Sequence, residues 1–276
     1  MFSIIIPTRN RNNTLDRCLQ ALFIAIDRVD KIPSEVIITV DEEIEDITKV
    51  TNRFANVRMV QGPRKGPAAN RNNGAKFASE DWLVFLDDDC EPKPDLILSY
   101  INAINENTKI QVFEGAILPD GEKKTGLDYA PLNISGGNLW SCNFCIDRKL
   151  FQSLGGFDES FIYPHMEDID FRTRLFNLNI PFSFVPNAAV VHPWRRIKSG
   201  IVLGKYQEMY VLYHEKHHKP YSLSKLLLEI TLFHLSMCRN TNSIFDFIIS
   251  IWSLIEHISV VLLKWNSWKK KYLYER

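Results

Sequence analysis

The chain has 276 residues, of which 45% are hydrophobic and 24% charged, and its 33 Lys+Arg balance 33 Asp+Glu. That length supports one large domain with or without an appendage, and the ordinary apolar fraction excludes a disordered or fibrous chain. Zero net charge leaves no overall electrostatic footprint for nucleic acid, and five scattered cysteines (Cys18, Cys90, Cys142, Cys145, Cys238) exclude a disulfide framework and fit a reducing cytosol.

In chain order, Met1 runs into FSIII (2–6), which lacks the basic flank and length of a secretory signal and reads as a buried strand. Leu15, Leu19, Leu22 and Ile26 then share one helical face, with Asn13 or Thr14 as the expected N-cap. EVIITV (35–40), VRMV (57–60) and WLVFL (82–86) are further strands, and helices are expected over about 44–55 and 67–78. Their hydrophobicity is continuous rather than alternating, so they are expected to be buried on both faces of a mostly parallel sheet. Ligands of such sheets bind beyond the carboxyl ends of the strands. Asp41 follows the second strand and Asp87, Asp88 and Asp89 follow the fourth, so both sites belong to one rim.

Beyond residue 110 the pattern is mixed. IQVFEGAIL and NLWSCNFCI read as strands, and EDIDFRTRLFNLN (167–179) as a helix. Cys142 and Cys145 form a lone CxxC without partner ligands for zinc and read as buried strand thiols. From about residue 205 the chain is expected to be helical, giving a division into residues 1–204 and 205–276. Charge divides similarly: residues 1–191 carry 27 acids against 20 bases, and residues 192–276 carry 6 against 13. In 244–263, Asp246, Ser250, Ser253 and His257 fall on one helical stripe of an otherwise apolar segment, and these interruptions argue against a spanning helix. Trp265 and Trp268 beside Lys264, Lys269, Lys270 and Lys271 have a composition suited to a lipid interface, while the same helix could instead pack on the protein itself.

Three consecutive carboxylates abutting a buried run repel one another, and a divalent cation turns that repulsion into coordination. Mg²⁺ or Mn²⁺ takes one or two carboxylates and leaves the rest of its shell for water and phosphate oxygens.

SIIIPTRNR at the start, the Val40-Asp41 pair, GPAANRNNGAKFASEDWLVFLDDDC (66–90) and GGFDESF followed by MEDIDF (155–171) occur in this order. Together they resemble the family-two inverting glycosyltransferases of the GT-A fold, over roughly residues 1 to 195. The resemblance implies an α/β, Rossmann-like catalytic domain, followed here by the helical C-terminal region. It implies that Pro7, Thr8, Asn10 and Arg11 line a nucleotide pocket, that Asp41 accepts a hydrogen bond from uracil, and that Arg71 lies near the base or phosphates. Asp89 would hold the metal, with Asp87 or Asp88 on the ribose, and His192 would complete the metal shell. Asp168 would be the general base, with Glu167 orienting the acceptor or supporting the base. The stretch containing Gly137 and Trp140 would lie under the donor sugar and acceptor.

The expected reaction is metal-dependent transfer of a sugar from a UDP-sugar to a hydroxyl of a glycan or lipid-linked acceptor in cell-surface glycan synthesis. The expected location is cytoplasmic, peripheral at the inner face of the membrane; an oligomer is possible, and nucleic acid is not an expected partner. A nucleotidyltransferase is the rival enzyme, disfavoured because IIPTRNRNNT has no glycine-rich triphosphate loop. A non-catalytic nucleotide- or carbohydrate-binding protein is the rival from another class, disfavoured by the carboxylates present at both sites.

Overall fold

In chain order the elements are β1 (Phe2–Thr8), α1 (Asn12–Asp27), β2 (Ser34–Val40), α2 (Glu45–Thr51), β3 (Val57–Gln61), α3 (Pro67–Lys76) and β4 (Trp82–Leu86). There follow β5 (Glu91–Pro92), α4 (Leu96–Glu106), β6 (Val112–Pro119), β7 (Asp128–Tyr129), β8 (Asn143–Asp147), α5 (Arg148–Ser153) and α6 (Glu167–Asn177). The last are β9 (Ser183–His192), β10 (Arg195–Arg196), α7 (Gly200–Lys216), α8 (Leu223–Arg239) and α9 (Ile244–Leu273). This computed structural model describes residues 1–29, 32, 34–239, 241 and 243–273.

Eight strands form one sheet in the order β3-β2-β1-β4-β8-β6-β9-β5. β3, β2, β1 and β4 run parallel, β8 is antiparallel to both β4 and β6, β6 and β9 are parallel, and β5 opposes β9. The sheet is thus mostly parallel with helices on both faces, a Rossmann-like α/β architecture of the GT-A kind.

The continuous apolar runs have a simple cause. In β1, Phe2, Ile4 and Ile6 enter one core while Ile5 enters another; in β4, Val84 and Leu86 join the first and Leu83 and Phe85 the second. Successive side chains of a strand point to opposite faces, so a strand buried on both sides must be apolar at every position. The first core is closed by Leu15, Leu19 and Leu22 of α1 and Leu96, Ile97 and Tyr100 of α4. The second is closed by Ala68 and Ala75 of α3, Phe151 of α5, and Phe171 and Leu175 of α6.

α3 presents alanines and a glycine to the sheet, and a Cβ on Gly74 would meet the Ile5 side chain at 2.6 Å. Its small face brings the helix close enough to bury Asn70, Arg71 and Asn72. α1 starts at Asn12, one or two residues before the expected caps, with Arg11 at the cap position and no side-chain cap bond. A poor capping residue stands there because the Arg11 side chain is engaged elsewhere.

The chain divides into two compact units. The first comprises Met1–Asp120, Pro131–Ile162 and Glu167–Pro193; the second comprises Gly121–Ala130, Tyr163–Met166 and Trp194–Arg276. Within the second, β7 pairs with β10, and α7, α8 and α9 pack together. Trp265 and Trp268 are buried, at 8% and 5% exposure. This corrects the reading that places them at a lipid interface: the indoles serve the interior of the helical unit, and Trp265 meets Tyr221 edge-on at 5.6 Å. By length and a mean hydropathy of 1.8, Ile244–Tyr272 is long and apolar enough to cross a membrane. The polar stripe that argued against a span is turned inward.

Candidate active site

All the residues singled out as site candidates lie in the first unit. β1, β2 and β4 are parallel neighbours, so Thr8, Asp41 and Asp87–Asp89 emerge at the same sheet edge. Pro7 is the penultimate residue of β1, and the backbone turns at Asn10 with φ of 53°. The amide of Asn10 donates to the buried carboxylate of Glu42, which braces this turn against the end of β2.

The three aspartates have different partners. Asp87 Oδ1 accepts from Arg71 Nη2 at 2.7 Å. Asp88 accepts from Thr8 Oγ1 at 2.7 Å and from Arg11 Nη1 at 2.9 Å. Asp89 Oδ2 lies 3.2 Å from the same Arg11 nitrogen. Two arginines therefore supply much of the positive charge that the acidic run demands. Burial nevertheless pushes the Asp88 carboxyl up to about 6, against the pull of Arg11. Burial also raises Asp41, whose Oδ1 accepts from the Arg64 amide at 2.8 Å. Gly62 leaves room for that carboxylate, since a Cβ there would collide with Asp41 Oδ1.

At the other oxygen of Asp89, Oδ1 faces His192 Nε2 at 3.7 Å. The His192 ring nitrogen Nδ1 is 2.8 Å from the carbonyl of Pro193. Placing the proton on Nδ1 makes that a hydrogen bond and leaves the Nε2 lone pair turned toward a carboxylate oxygen, an arrangement that a cation stabilises. Donor atoms of Asp89, Cys90 and His192, all buried, lie within 4.8 Å of one another. The Cys90 thiol is held well above its usual range by a hydrogen bond with Cys142 and by burial, so it stays protonated. The cluster thus offers a carboxylate oxygen, an imidazole nitrogen and a thiol, donors that suit a divalent cation.

A second acidic pair opens α6. Arg71, buried to 4% exposure, reaches Glu167 Oε1 at 3.6 Å with the nitrogen Nη1, while Nη2 holds Asp87. Burial opposes its charge, but Asp87, Asp168 and Glu167 outweigh that and fix it as a cation. Asp168 hydrogen-bonds Ser141, and its Oδ1 has no hydrogen-bond partner among the described residues. Burial raises the carboxyls of both Glu167 and Asp168 above the ordinary range; Arg71 opposes this for each, and the charge of Asp168 adds to the rise at Glu167.

The loop before β8 completes this region. Gly136 and Gly137 have φ of 81° and 93°, which glycine tolerates without cost. A Cβ on Gly137 would meet nothing within 4 Å, so this backbone is open, and Arg172 Nη1 donates to its carbonyl at 2.6 Å. Trp140 is half-buried against the first core with a buried Nε1 that makes no hydrogen bond among the described residues.

The organiser of this loop is Glu114 of β6, which sequence reasoning missed. Its carboxylate accepts from the amides of Gly137, Asn138 (3.1 Å) and Leu139 (2.8 Å) and from Asn133 Nδ2 (3.0 Å). A lone glutamate inside the apolar run IQVFEGAIL is the signal that could have found it, because a fully buried carboxylate needs several donors. Glu114→Ala orphans four donors at about 1–3 kcal/mol each, only partly rehydrated, so a loss of about 3–6 kcal/mol is expected in urea denaturation. A loss under 1 kcal/mol would show that the loop holds itself.

Residues 3–154, more than half of the chain, match the family described as "Glycosyl transferase family 2". The chondroitin synthase of Pasteurella multocida (strain Pm70) is 24% identical over 275 residues, covering 82% of this chain and 28% of that protein. The GalNAc(5)-diNAcBac-PP-undecaprenol beta-1,3-glucosyltransferase of Campylobacter jejuni is 28% identical over 110 residues, covering 38% of this chain and 34% of that one. The chain thus spans about a third or less of the length of these relatives. Among solved structures, S. aureus TarS 1-349 in complex with UDP-GlcNAc aligns with a TM-score of 0.57 at 15% identity, covering 96% of this chain and 91% of that one.

Fold and matched region together define a glycosyltransferase. The chain belongs to glycosyl transferase family 2.

Proposed function

We propose that the protein transfers a sugar, with inversion at the anomeric carbon, from a UDP-sugar to a hydroxyl of a glycan or lipid-linked glycan acceptor in cell-surface glycan synthesis. The observation that carries this reading is the buried guanidinium of Arg71, which bridges Asp87 at the strand edge and Glu167 at the start of α6. Through it, two carboxylate groups about eighty residues apart in sequence form one site, as a reaction with separate donor and acceptor ends requires. The relative named for undecaprenol-linked GalNAc(5)-diNAcBac supports a lipid-linked acceptor, and TarS with UDP-GlcNAc supports a UDP-sugar donor.

In this reading Pro7, Thr8, Asn10 and Arg11 line the nucleotide pocket and Asp41 meets the uracil N3–H. Arg71 positions Asp87, and Asp87 or Asp88 meets the ribose. Asp89 and His192 hold Mn²⁺ or Mg²⁺, which when bound neutralises the diphosphate leaving group. Asp168, through Oδ1, takes the proton of the acceptor hydroxyl. The acceptor oxygen bonds to the anomeric carbon from the face opposite the phosphate, and the C–O bond to UDP breaks with its electron pair leaving on the diphosphate. Glu167 supports the base, and the Gly137–Trp140 stretch bears the sugars.

The test is UDP release from a panel of UDP-sugars by chelator-treated protein, with and without added Mn²⁺. Release that depends on metal is expected. Asp89→Ala is expected to weaken metal-dependent UDP binding by at least about tenfold, since even partners outside the coordination shell cost that much. Equal UDP affinity with and without metal, in wild type and variant, would remove the metal from the reading. No release with any donor, but release of pyrophosphate from a nucleoside triphosphate, would replace it with a nucleotidyltransferase.

A further inference from the structure

The helices of the second unit bury polar groups among their apolar ones. On α9 the inward stripe begins with Asp246, Ser250, Ser253 and His257, and all four are buried. Asp246 pairs with Arg196, the Ser250 hydroxyl donates to the carbonyl of His234 at 3.3 Å, and His257 Nδ1 lies 3.3 Å from His234 Nε2. The facing surface of α7 is equally unlike a water-soluble core. A Cβ on Gly200 would collide with the carbonyl oxygen of Ser253, and one on Gly204 would stand 2.6 Å from Val260. Small residues and polar groups thus line the first half of the α9 interface, as between helices whose outer solvent is hydrocarbon, while Val261, Trp265 and Trp268 fill the second half.

The outer stripe of α9 is mainly apolar, interrupted by exposed Ser259 and flanked by Glu256, which accepts from Trp252 Nε1 at 2.9 Å. Ile244, Phe245, Ile248, Trp252, Ile255 and Leu263 recur at helical spacing and are exposed, Phe245 at 67%, Trp252 at 64% and Leu263 at 81%. α8 adds Leu228, Leu232, Phe233 and Leu235, all exposed. α8 ends at Arg239, α9 begins at Ile244, and the two helices pack against one another. Water drives apolar groups inward, and an outward stripe of this extent has a cost in water that an apolar surface removes. Where the apolar stripe ends, the outer side carries exposed Lys264 and Lys270, with half-buried Lys269 beside them, its ammonium 5.6 Å from the centre of the Tyr221 ring. Lys271 is instead committed to Glu208.

We propose that the outer face of α8 and α9 docks the protein on an anionic phospholipid bilayer, its apolar stripe entering the acyl boundary from one side and Lys264, Lys269 and Lys270 meeting the headgroups. Charge complementarity at the end of the stripe selects a lipid surface as occupant, because lysines beside an exposed apolar stripe match anionic headgroups above acyl chains. The inference is independent of the reaction assigned to the first unit.

The test uses the full chain with vesicles of phosphatidylcholine and phosphatidylglycerol. Wild type is expected to float with the vesicles. The triple variant Phe245→Ser, Ile248→Ser, Trp252→Ser changes only exposed positions and is expected to stay unbound, with unaltered circular dichroism, melting temperature and UDP release. Replacing the three lysines with glutamine is expected to weaken partition by about fivefold for each charge, on the order of a hundredfold together. Brominated acyl chains are expected to quench Trp252, and Trp252→Phe to lose most of that quenching, because Trp265 and Trp268 are buried. Failure of the wild type to float at low salt overturns the proposal, as does undiminished flotation of the triple variant. A dimer in light scattering that the triple variant abolishes, without lipid binding by the wild type, assigns the face to a second copy.

Discussion

Asp168→Asn is expected to lower sugar transfer by about 10²–10⁴-fold while UDP-sugar binding stays unchanged, the usual scale for a general base. The amide keeps the shape of the side chain and its bond with Ser141 and loses only the basicity. Asp168 is suited to the role by its surroundings. It sits on the first turn of α6, engaged by Ser141, with Oδ1 making no hydrogen bond among the described residues. Burial raises its carboxyl above the ordinary range, with Arg71 pulling against it, and a carboxylate raised in this way is a stronger base than one at the surface. The reactive form is the ionised one. Transfer is therefore expected to fall as pH drops, with an acidic limb above the ordinary carboxylate range. The Glu167 carboxyl, pushed up to about 8, is already protonated through that limb, so Glu167→Gln is expected to leave the limb in place. Paired measurements of transfer rate against pH and of UDP affinity by calorimetry check both points. Near-wild-type transfer by Asp168→Asn with intact binding would hand the base to another residue.

The parts of the fold that were legible in the sequence follow one physical rule. β1, β2 and β4 announce themselves because both faces of each are buried, which leaves no position for a polar residue except at the ends. The chemistry then had to appear at those ends, and Asp41 and Asp87–Asp89 stand there. What could not be read was the pairing between distant segments. Asp87, Asp88 and Asp89 look equivalent in sequence, yet Arg71 takes the first and Arg11 the other two. The acid cluster seemed to demand a metal for its entire charge balance, because no local pattern shows that a helix of small residues can lower an arginine onto the sheet edge. Glu114 was hidden for a related reason: its donors are backbone amides of a loop some twenty residues onward, and an amide leaves no mark in a sequence. In α9 the helical period was plain, but period alone does not say which stripe faces in. The polar stripe does, and Trp265 and Trp268 go in with it.

Arg71→Met should cost about 3–5 kcal/mol of stability at neutral pH, the scale for removing one partner of a buried ion pair. The methionine fills much of the aliphatic volume, so the loss measures charge rather than packing. Three carboxyl groups depend on that guanidinium: Asp87 by direct contact, Glu167 at 3.6 Å, and Asp168 through its field. The sign of the pH dependence follows from their shifts. In the wild type the Glu167 carboxyl is pushed up to about 8, by burial and then by Asp168. A carboxyl raised in the folded state contributes stability that is fully present below its unfolded pKa and is lost as pH rises through the folded value. Without Arg71 the Glu167 and Asp168 carboxyls rise further, so the folded variant binds more protons than the unfolded chain across the neutral range. The deficit of Arg71→Met is therefore expected to be greatest at mildly alkaline pH and to shrink as pH falls toward the ordinary carboxylate range. Arg71→Lys should recover part of the loss, because one ammonium keeps the charge but lacks the fork that serves Asp87 and Glu167 at once. Urea denaturation of the three proteins across that pH range reads the effect. A deficit that does not change with pH would mean that Arg71 supports the site by packing against Phe157, whose ring centre lies 5.8 Å from the guanidinium, and not by holding the carboxylates together.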